Sequence, residues 1–373
     1  MAEKDGGKTA AVPHAGMKHV PRQAYRQPSR QPSIKDIARL ARVSHPTVSR
    51  ALQNSPLVNA ETAAKIRKIA EDAGYRASAV ARGLVTRHTR TIGLVVTTVS
   101  DPFASEVACG IEEIANDHLY AVILANSHAD PERERRVVQE LAERRVDGII
   151  VTSSRVGALY LPLLKELQVP IVLVNDQYPG EFVHSVMIAN REGTRAATEH
   201  LIGLGHRRIA YLGDRGGYQS DAERLGGYKE ALAAASIDFA PELAAEGDGQ
   251  PEAAIAVMDA LLRLHHPPTA VCCYNDMSAL GAMRAIRARG LRVPEDVSVT
   301  GFDDLFFAAY LTPALTTVRQ PMRRMGQMAM EKLFKLMSGL TSGQDSVVQI
   351  KVEAELIVRG STGKAQKREQ HDA

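Results

Sequence analysis

Ser33 to Arg50 carries the chain's densest set of residues suited to recognising a polyanion. Ser33 with Asp36 three residues on makes a capping-box-like start, followed by apolar Ile34, Ile37, Leu40 and Ala41 at helical spacing. Val43 fills a tight turn. Ser44 then caps a second helix that tolerates Pro46 in its first turn, where a missing N–H costs little. On that helix Val48 and Leu52 point inward, leaving His45, Pro46, Thr47, Ser49 and Arg50 outward. Two short helices across a tight turn, the second with a polar outer face, form a helix-turn-helix unit. Such a unit lays its second helix in the major groove of DNA, with the N-terminal residues on base edges. The bland alternative is a helical hairpin that merely packs.

Charge decides between them. The chain has 373 residues and a net charge of only +3, but residues 17–90 hold fifteen Lys/Arg against four Asp/Glu. That segment is therefore +11, and residues 91–373 carry −8. A basic head on an acidic body fits a head that neutralises phosphates and a body that does not. Residues 1–31, rich in Lys, Arg, Gln, Gly, Ser and Pro, are expected to be disordered. They read either as a basic arm adding non-specific affinity or as a tolerated extension, with Met17 an alternative start.

Other chemistries find no support. Cys109, Cys272 and Cys273 give no CxxC and no metal-ligand spacing, and read as reduced core cysteines of a cytosolic protein. No apolar run of 18 residues and no N-terminal h-region occurs, so neither a membrane span nor a signal peptide is expected. Gly-x-Gly-x-x-Gly and Gly-x-x-x-x-Gly-Lys-Ser/Thr are both missing, so no nucleotide-phosphate fingerprint is present. Asp303-Asp304 is the one adjacent acid pair at a strand end in the body, and strand-end neighbours point apart. The reading is therefore a non-enzyme with no cofactor and no metal.

The elements that position these residues follow. Asn59 caps a third helix that runs to Gly74, with Ile66, Ile69, Ala70 and Ala73 as its inner stripe. Ala77 to Leu84 reads as a fourth helix, too short to be stable alone and weakened by Gly83. From Thr91 the texture changes to short β-branched apolar runs: Ile92–Val96, Ala121–Ala125, Gly148–Thr152, Ile171–Val174, Ile209–Leu212, Ala270–Tyr274 and Val297–Thr300. Amphipathic helices fall between and after them, such as Glu132–Arg145, Gly193–Leu204, Asp221–Ala235, Met277–Arg289 and Met322–Met337. Alternating βα units mean parallel sheets covered on both faces, and their number exceeds one doubly wound sheet. Two lobes are expected. Asp303, after the Val297–Phe302 strand, sits at the carboxyl edge of a sheet, where α/β proteins bind ligands.

The chain resembles the lactose/galactose repressor (LacI/GalR) family from Ile34 to Ser361. In the head the matches are Ile34-Lys-Asp-Ile-Ala38, Val43-Ser44, Thr47-Val-Ser-Arg-Ala-Leu52, Gly74-Tyr75 and Ala79-Val-Ala-Arg82. In the body they include Thr91-Ile-Gly-Leu-Val-Val96, Arg145-Val-Asp-Gly-Ile-Ile150, His200 to Gly213, Glu223 to Tyr228, Asn275-Asp276, Leu291 to Asp304 and Pro313 to Pro321. The resemblance implies an α/β protein with a three-helix helix-turn-helix head, a hinge helix and a two-lobed periplasmic-binding-protein-like core joined by three crossovers. Boundaries follow as 1–31 extension, 32–76 DNA-binding head, 77–90 hinge and linker, 91–362 core, and 363–373 polar tail. The tail lacks apolar heptads, so a two-fold homodimer is expected rather than a tetramer.

On this resemblance His45, Pro46 and Arg50 stand where the family reads bases of a palindromic operator. Arg50 suits the two acceptors of guanine, while Pro46 offers only apolar contact. Ser44, Thr47, Ser49 and Thr62 stand as phosphate ligands. Leu84 matches the hinge leucine that wedges into the minor groove, and Ala77 replaces a proline common there. In the cleft, Asp101, Phe103, Ser153, Arg224, Asn275 and Asp303 are the effector candidates. A carboxylate, a guanidinium and an amide suit vicinal hydroxyls, with Phe103 stacking on a sugar face. Asp276 and Asp304 read as structural. Gly247-Asp248 is followed by Gly249-Gln250 rather than by an aromatic, and the chain has no Trp. A stacking platform is therefore expected to be missing on the second lobe, which favours a monosaccharide, polyol or sugar acid. A sugar acid fits if Arg155 or Arg191 faces the cleft. The alternative is a corepressor such as a purine, or a partner protein. Whether the effector releases or strengthens DNA binding is not legible from these residues.

Overall fold

A computed structural model describes residues 32–75, 88–156, 167, 169–177, 184–339 and 349–366. The expected hinge helix Ala77–Leu84, with its wedge Leu84, and the extension 1–31 lie outside the described residues. The chain divides into two compact units, Met1–Ala81 and Arg82–Ala373.

Among its described residues the first unit contains three helices: α1 (Ile34–Ala41), α2 (His45–Leu52) and α3 (Ala60–Asp72). Ser33 and Asp36 form the full capping box. The Asp36 carboxylate accepts from Ser33 N at 2.9 Å and from Oγ at 2.6 Å, and Ser33 Oγ accepts from Asp36 N at 3.3 Å. Arg42 leaves α1 in the left-handed region, which turns the chain toward α2. Ile37, Ala38, Ala41, Val48, Ala51, Ala63, Ile66 and Ala70 form the core. Leu40 departs from its expected place, being 60% exposed. The stripe on α1 runs through residues 34, 37, 38 and 41, an i, i+3, i+4, i+7 set that puts position 40 beside it. Ile69 and Ala73 of α3 are likewise only partly buried.

Among its described residues the second unit has two six-stranded sheets. In the first, order β11-β5-β4-β3-β1-β2, all pairs are parallel. Its strands are β1 (Thr91–Val96), β2 (Ala121–Asn126), β3 (Gly148–Thr152), β4 (Ile171–Val174), β5 (His184–Ile188) and β11 (Gln349–Val352). The second sheet, β12-β10-β9-β8-β6-β7, is parallel except for the β12–β10 pair. It contains β6 (Ile209–Asp214), β7 (Ala244–Gly247), β8 (Ala270–Cys273), β9 (Ser298–Asp303), β10 (Thr316–Arg319) and β12 (Glu355–Ile357). The central strands of each sheet are covered on both faces, and their side chains alternate accordingly. Ile92, Leu94, Ile150 and Val172 enter one core, whereas Val95, Ile149, Val151 and Leu173 enter another across the sheet.

Three crossovers join the lobes among the described residues. The chain leaves β5 for α6 (Asn190–Gly203), packed with α7 (Gln219–Ala234) on the second sheet's side. It returns from β10 into α10 (Met322–Met337), which packs on α4 (Pro102–Asp117) of the first lobe. It crosses again between β11 and β12. The lobes meet through hydrogen bonds as well: Gln177 Oε1 accepts from Ser220 Oγ at 2.9 Å.

Glycines let the helix pairs approach closely. A Cβ at Gly110 of α4 would land on the Arg323 carbonyl oxygen, and one at Gly326 of α10 on that of Val107. Cys272 and Cys273 are buried as expected. Cys109 is exposed, contrary to the core reading, because it lies on the outer face of α4.

Candidate functional site

In the head, α2 begins at Ser44, whose Oγ accepts from Thr47 N at 3.3 Å and lies 2.8 Å from Thr47 Oγ1. With Pro46 in the first turn, the helix presents its positive dipole end outward, where anions are favoured. His45, Pro46 and Arg50 are exposed along one side, with Thr47 and Ser49 half-buried beside them. Arg50 has no partner among the described residues. Thr62 is half-buried in the first turn of α3, below the Asn59 cap that accepts from Glu61 N at 2.8 Å. Lys35, Arg39, Arg42, Lys65, Arg67 and Lys68 are also exposed on this unit. Its surface can neutralise phosphates.

The body holds a cleft of about 370 Å³ between its lobes. All six expected residues line it: Asp101, Phe103, Ser153, Arg224, Asn275 and Asp303. The fold explains why. Asp101 caps α4 just after β1, Ser153 follows β3, Asn275 follows β8, and Asp303 ends β9. These are carboxyl ends of parallel strands, brought face to face by the two lobes. The backbone is strained there, with φ of +49° at Ser153, +54° at Asn175 and +117° at Asp303.

Arg224 is held from every side. Its Nε donates to Asn190 Oδ1 at 2.9 Å and its Nη1 to the Tyr274 carbonyl at 2.6 Å. The guanidinium lies 3.6 Å over the Phe302 ring and 4.6 Å over that of Tyr274. Only Nη2 approaches Asp303, at 4.0 Å. Asp303 Oδ1 accepts from Gln320 Nε2 at 2.5 Å. Burial pushes the Asp303 carboxyl up to about 7, against the opposing pull of Arg224 and Gln320. Burial also raises Asp101, despite the helix N–H groups it caps, and raises Asp214.

Asp276 and Asp304 are structural. Asp276 accepts from Leu305 N and Thr317 Oγ1, and Asp304 pairs with Arg319 and Arg359 at 2.8 and 2.6 Å. Asn275 is largely committed too: its Oδ1 accepts from Ser278 N at 2.8 Å and its Nδ2 donates to Gly249 O at 3.1 Å. Phe103 is mostly sunk in the first lobe's core, leaving little of its ring to the cleft.

Several lining residues went unread in the sequence. Asn175, Gln177, Asp214, Tyr218, Tyr274 and Gln320 all line the cleft. Asn175, Asp214 and Tyr274 end or follow strands already recognised, which was the available signal. Tyr218 and Tyr274 correct the expectation of a second lobe without rings. The aromatics come from the turn before α7 and the end of β8, not from the Gly247-Asp248 segment. Arg191 turns away to Glu230 at 2.6 Å, and Arg155 stacks 4.3 Å over Tyr218 without lining the cleft.

No helix among the described residues is long and apolar enough to cross a membrane. Residues 33–78 match the family described as bacterial regulatory proteins, lacI family, and residues 198–362 match a periplasmic binding protein-like domain. The HTH-type transcriptional repressor PurR of Aliivibrio fischeri (strain MJ11) is 37% identical over 306 residues, covering 81% of this chain and 91% of that protein. The lac repressor dimer bound to operator and the anti-inducer ONPF superposes with a TM-score of 0.81 at 28% identity, over 90% of this chain and 100% of that one. A complex of the transcriptional regulator CelR with cellobiose gives 0.67 at 32% identity, over 88% and 99%.

Proposed function

Since the chain belongs to the lacI family of bacterial regulatory proteins, we propose that this transcriptional repressor binds a palindromic operator as a homodimer in the cytoplasm, under control of a small effector in the interlobe cleft. In this reading Arg50 reads a guanine, His45 and Pro46 contact neighbouring bases, and Ser44, Thr47, Ser49 and Thr62 hold phosphates. Leu84 is the minor-groove wedge. The sheet edge at β2 supports a two-fold contact. Ile123 and Leu124 are 42% and 45% exposed on a strand with one free edge, which proteins rarely leave uncovered. Catalysis has no part in this reading.

The cleft carries the ligand half of the proposal. Its volume lies within the roughly 300–1,000 Å³ of small-molecule sites. Its polar groups sit at strand ends from both lobes, so a ligand touching both biases their arrangement. An effector with unequal affinity for two arrangements shifts operator affinity by roughly 1–3 kcal/mol. The lining favours a small hydroxylated molecule, a monosaccharide or polyol. A purine is the second reading, supported by the PurR relatives and by the Tyr218 and Tyr274 rings.

A thermal-shift screen of sugars, polyols and purines, followed by operator titration with each hit, tests this reading. A compound that raises the melting temperature and changes operator affinity supports it. Hits that stabilise the chain yet leave operator affinity unchanged contradict it.

A further inference from the structure

The cleft's charged groups are unbalanced: carboxylates crowd it, and Arg224, the guanidinium among its described lining residues, keeps only Nη2 without a hydrogen bond. Asp101, Asp214 and Asp303 all line it. Asp214 Oδ1 accepts from Gly216 N at 2.6 Å, and its own N–H is turned to the Asp221 carboxylate at 3.1 Å. Beyond burial, the negative charges of Asp214 and Asp303 both push the Tyr274 hydroxyl upward. Asp101 acts on Asp303 from the opposite lobe. Asp248, also lining, is paired with Arg215.

Two buried amides add to the surplus. Gln320 and Asn175, 3% and 6% exposed, line the cleft, and Gln320 Oε1 and Asn175 Oδ1 have no hydrogen-bond partner among the described residues. Orphaned buried acceptors are expensive and mark a place where a donor belongs. Against them stands Arg224, whose Nε and Nη1 are engaged and whose faces are covered by Phe302 and Tyr274. Arg155 sits on Tyr218, outside the lining; it opposes the upward shift of Asp214, and its buried Nε is a donor without a hydrogen-bond partner among the described residues. A carboxylate-bearing ligand would meet three carboxylates here against the single Nη2 of Arg224 among the described lining residues.

We propose that the effector is a hydroxylated molecule carrying an ammonium group, an amino sugar or amino polyol, with the ammonium among Asp101, Asp214 and Asp303 and hydroxyls on Asn175 and Gln320. This rests on the ligand-controlled reading above and narrows the ligand's chemistry. An ammonium supplies three donors and a charge in one group, which matches what the cleft lacks. It also keeps Asp303 in the carboxylate form that burial alone disfavours.

The test is calorimetric titration of the full chain at neutral pH with matched probes: D-glucosamine, D-glucose and D-glucuronate, then D-galactosamine and D-galactose. The amine is expected to bind roughly tenfold or more tightly than its neutral partner, and the uronate weakest. Asp214→Asn should abolish that preference, bringing the amine's affinity down to that of its neutral partner. Should that variant not fold, titration of the native chain at alkaline pH, where the amine is uncharged, must erase the preference instead. Equal or tighter binding of the neutral or acidic probe overturns the proposal, as does a panel in which no amine binds. Operator binding by the unliganded chain, measured separately, judges the regulator reading whatever these titrations give.

Discussion

Asp303 concentrates the site's conflict. It ends a buried strand at φ +117°, its carboxyl stands near 7, and the one guanidinium close to it is 4.0 Å away. An unfolded aspartate titrates near 3.9. The folded chain thus binds the extra proton between about pH 4 and 7, and stability tied to Asp303 is lost as pH rises through that window. Asp303→Asn removes the conflict. Its melting temperature, relative to the native chain, should rise from pH 5 to pH 8, by roughly 2–4 °C for each kcal/mol recovered. A difference that stays flat over that range would contradict the assignment. Position along the chain made Asp303 legible, since it follows an unmistakable strand. Its partner Gln320 was not legible, because the strand before it, Thr316–Arg319, is four residues long and contains a single strongly apolar residue, Val318. Nor did the sequence reveal that Asn275 spends its amide as a helix cap. Only the fold brings Gly249 within 3.1 Å of it.

At the scale of elements, the recognised strands share one property, a continuous apolar run, which burial on both faces writes in all of them but the exposed edge β2. Those not recognised are exposed edges or begin with polar residues. β7 is Ala-Ala-Glu-Gly, β11 alternates exposed and half-buried, and β5 starts His-Ser. Leu40 shows the same limit in the head: an apolar residue near the right spacing still missed the stripe on so short a helix. Helix pairing depends on something less visible, the backbone contact at Gly110 and Gly326. Gly326→Ala would press its new methyl into the Val107 carbonyl, while a methyl at Gly203 would meet nothing within 4 Å. Gly326→Ala is therefore expected to destabilise the body by roughly 1–3 kcal/mol or more. Gly203→Ala should be neutral or stabilising by up to about 1 kcal/mol, as for glycine in an exposed helix. Chemical denaturation of both variants checks this, and equal stability of the two would refute the close-approach argument.

At the scale of the whole molecule, the charge split was the clearest signal in the sequence. A head at +11 and a body at −8 divide phosphate binding from ligand sensing before any fold is known. The two-lobed body was legible from its number of βα units, and the cleft from the strand ends. The exposed apolar edge at β2 was not, because Ala121–Asn126 reads like any buried strand until its free edge and its exposure are seen. Leu124→Asp should shift the chain from dimer to monomer in sedimentation, and an unchanged sedimentation coefficient would exclude that edge as the contact. The central claim joins head and cleft, and one measurement reaches both. Full-length protein is used to select duplexes from a random-sequence pool, and the winner is titrated with and without a cleft ligand, alongside Arg50→Ala. An inverted repeat is expected, with an affinity that changes roughly 5–150-fold with ligand. In Arg50→Ala the preference should fall by about 1–3 kcal/mol while salt-dependent binding persists. Enrichment of no sequence, or an operator affinity indifferent to ligand, would contradict the central claim.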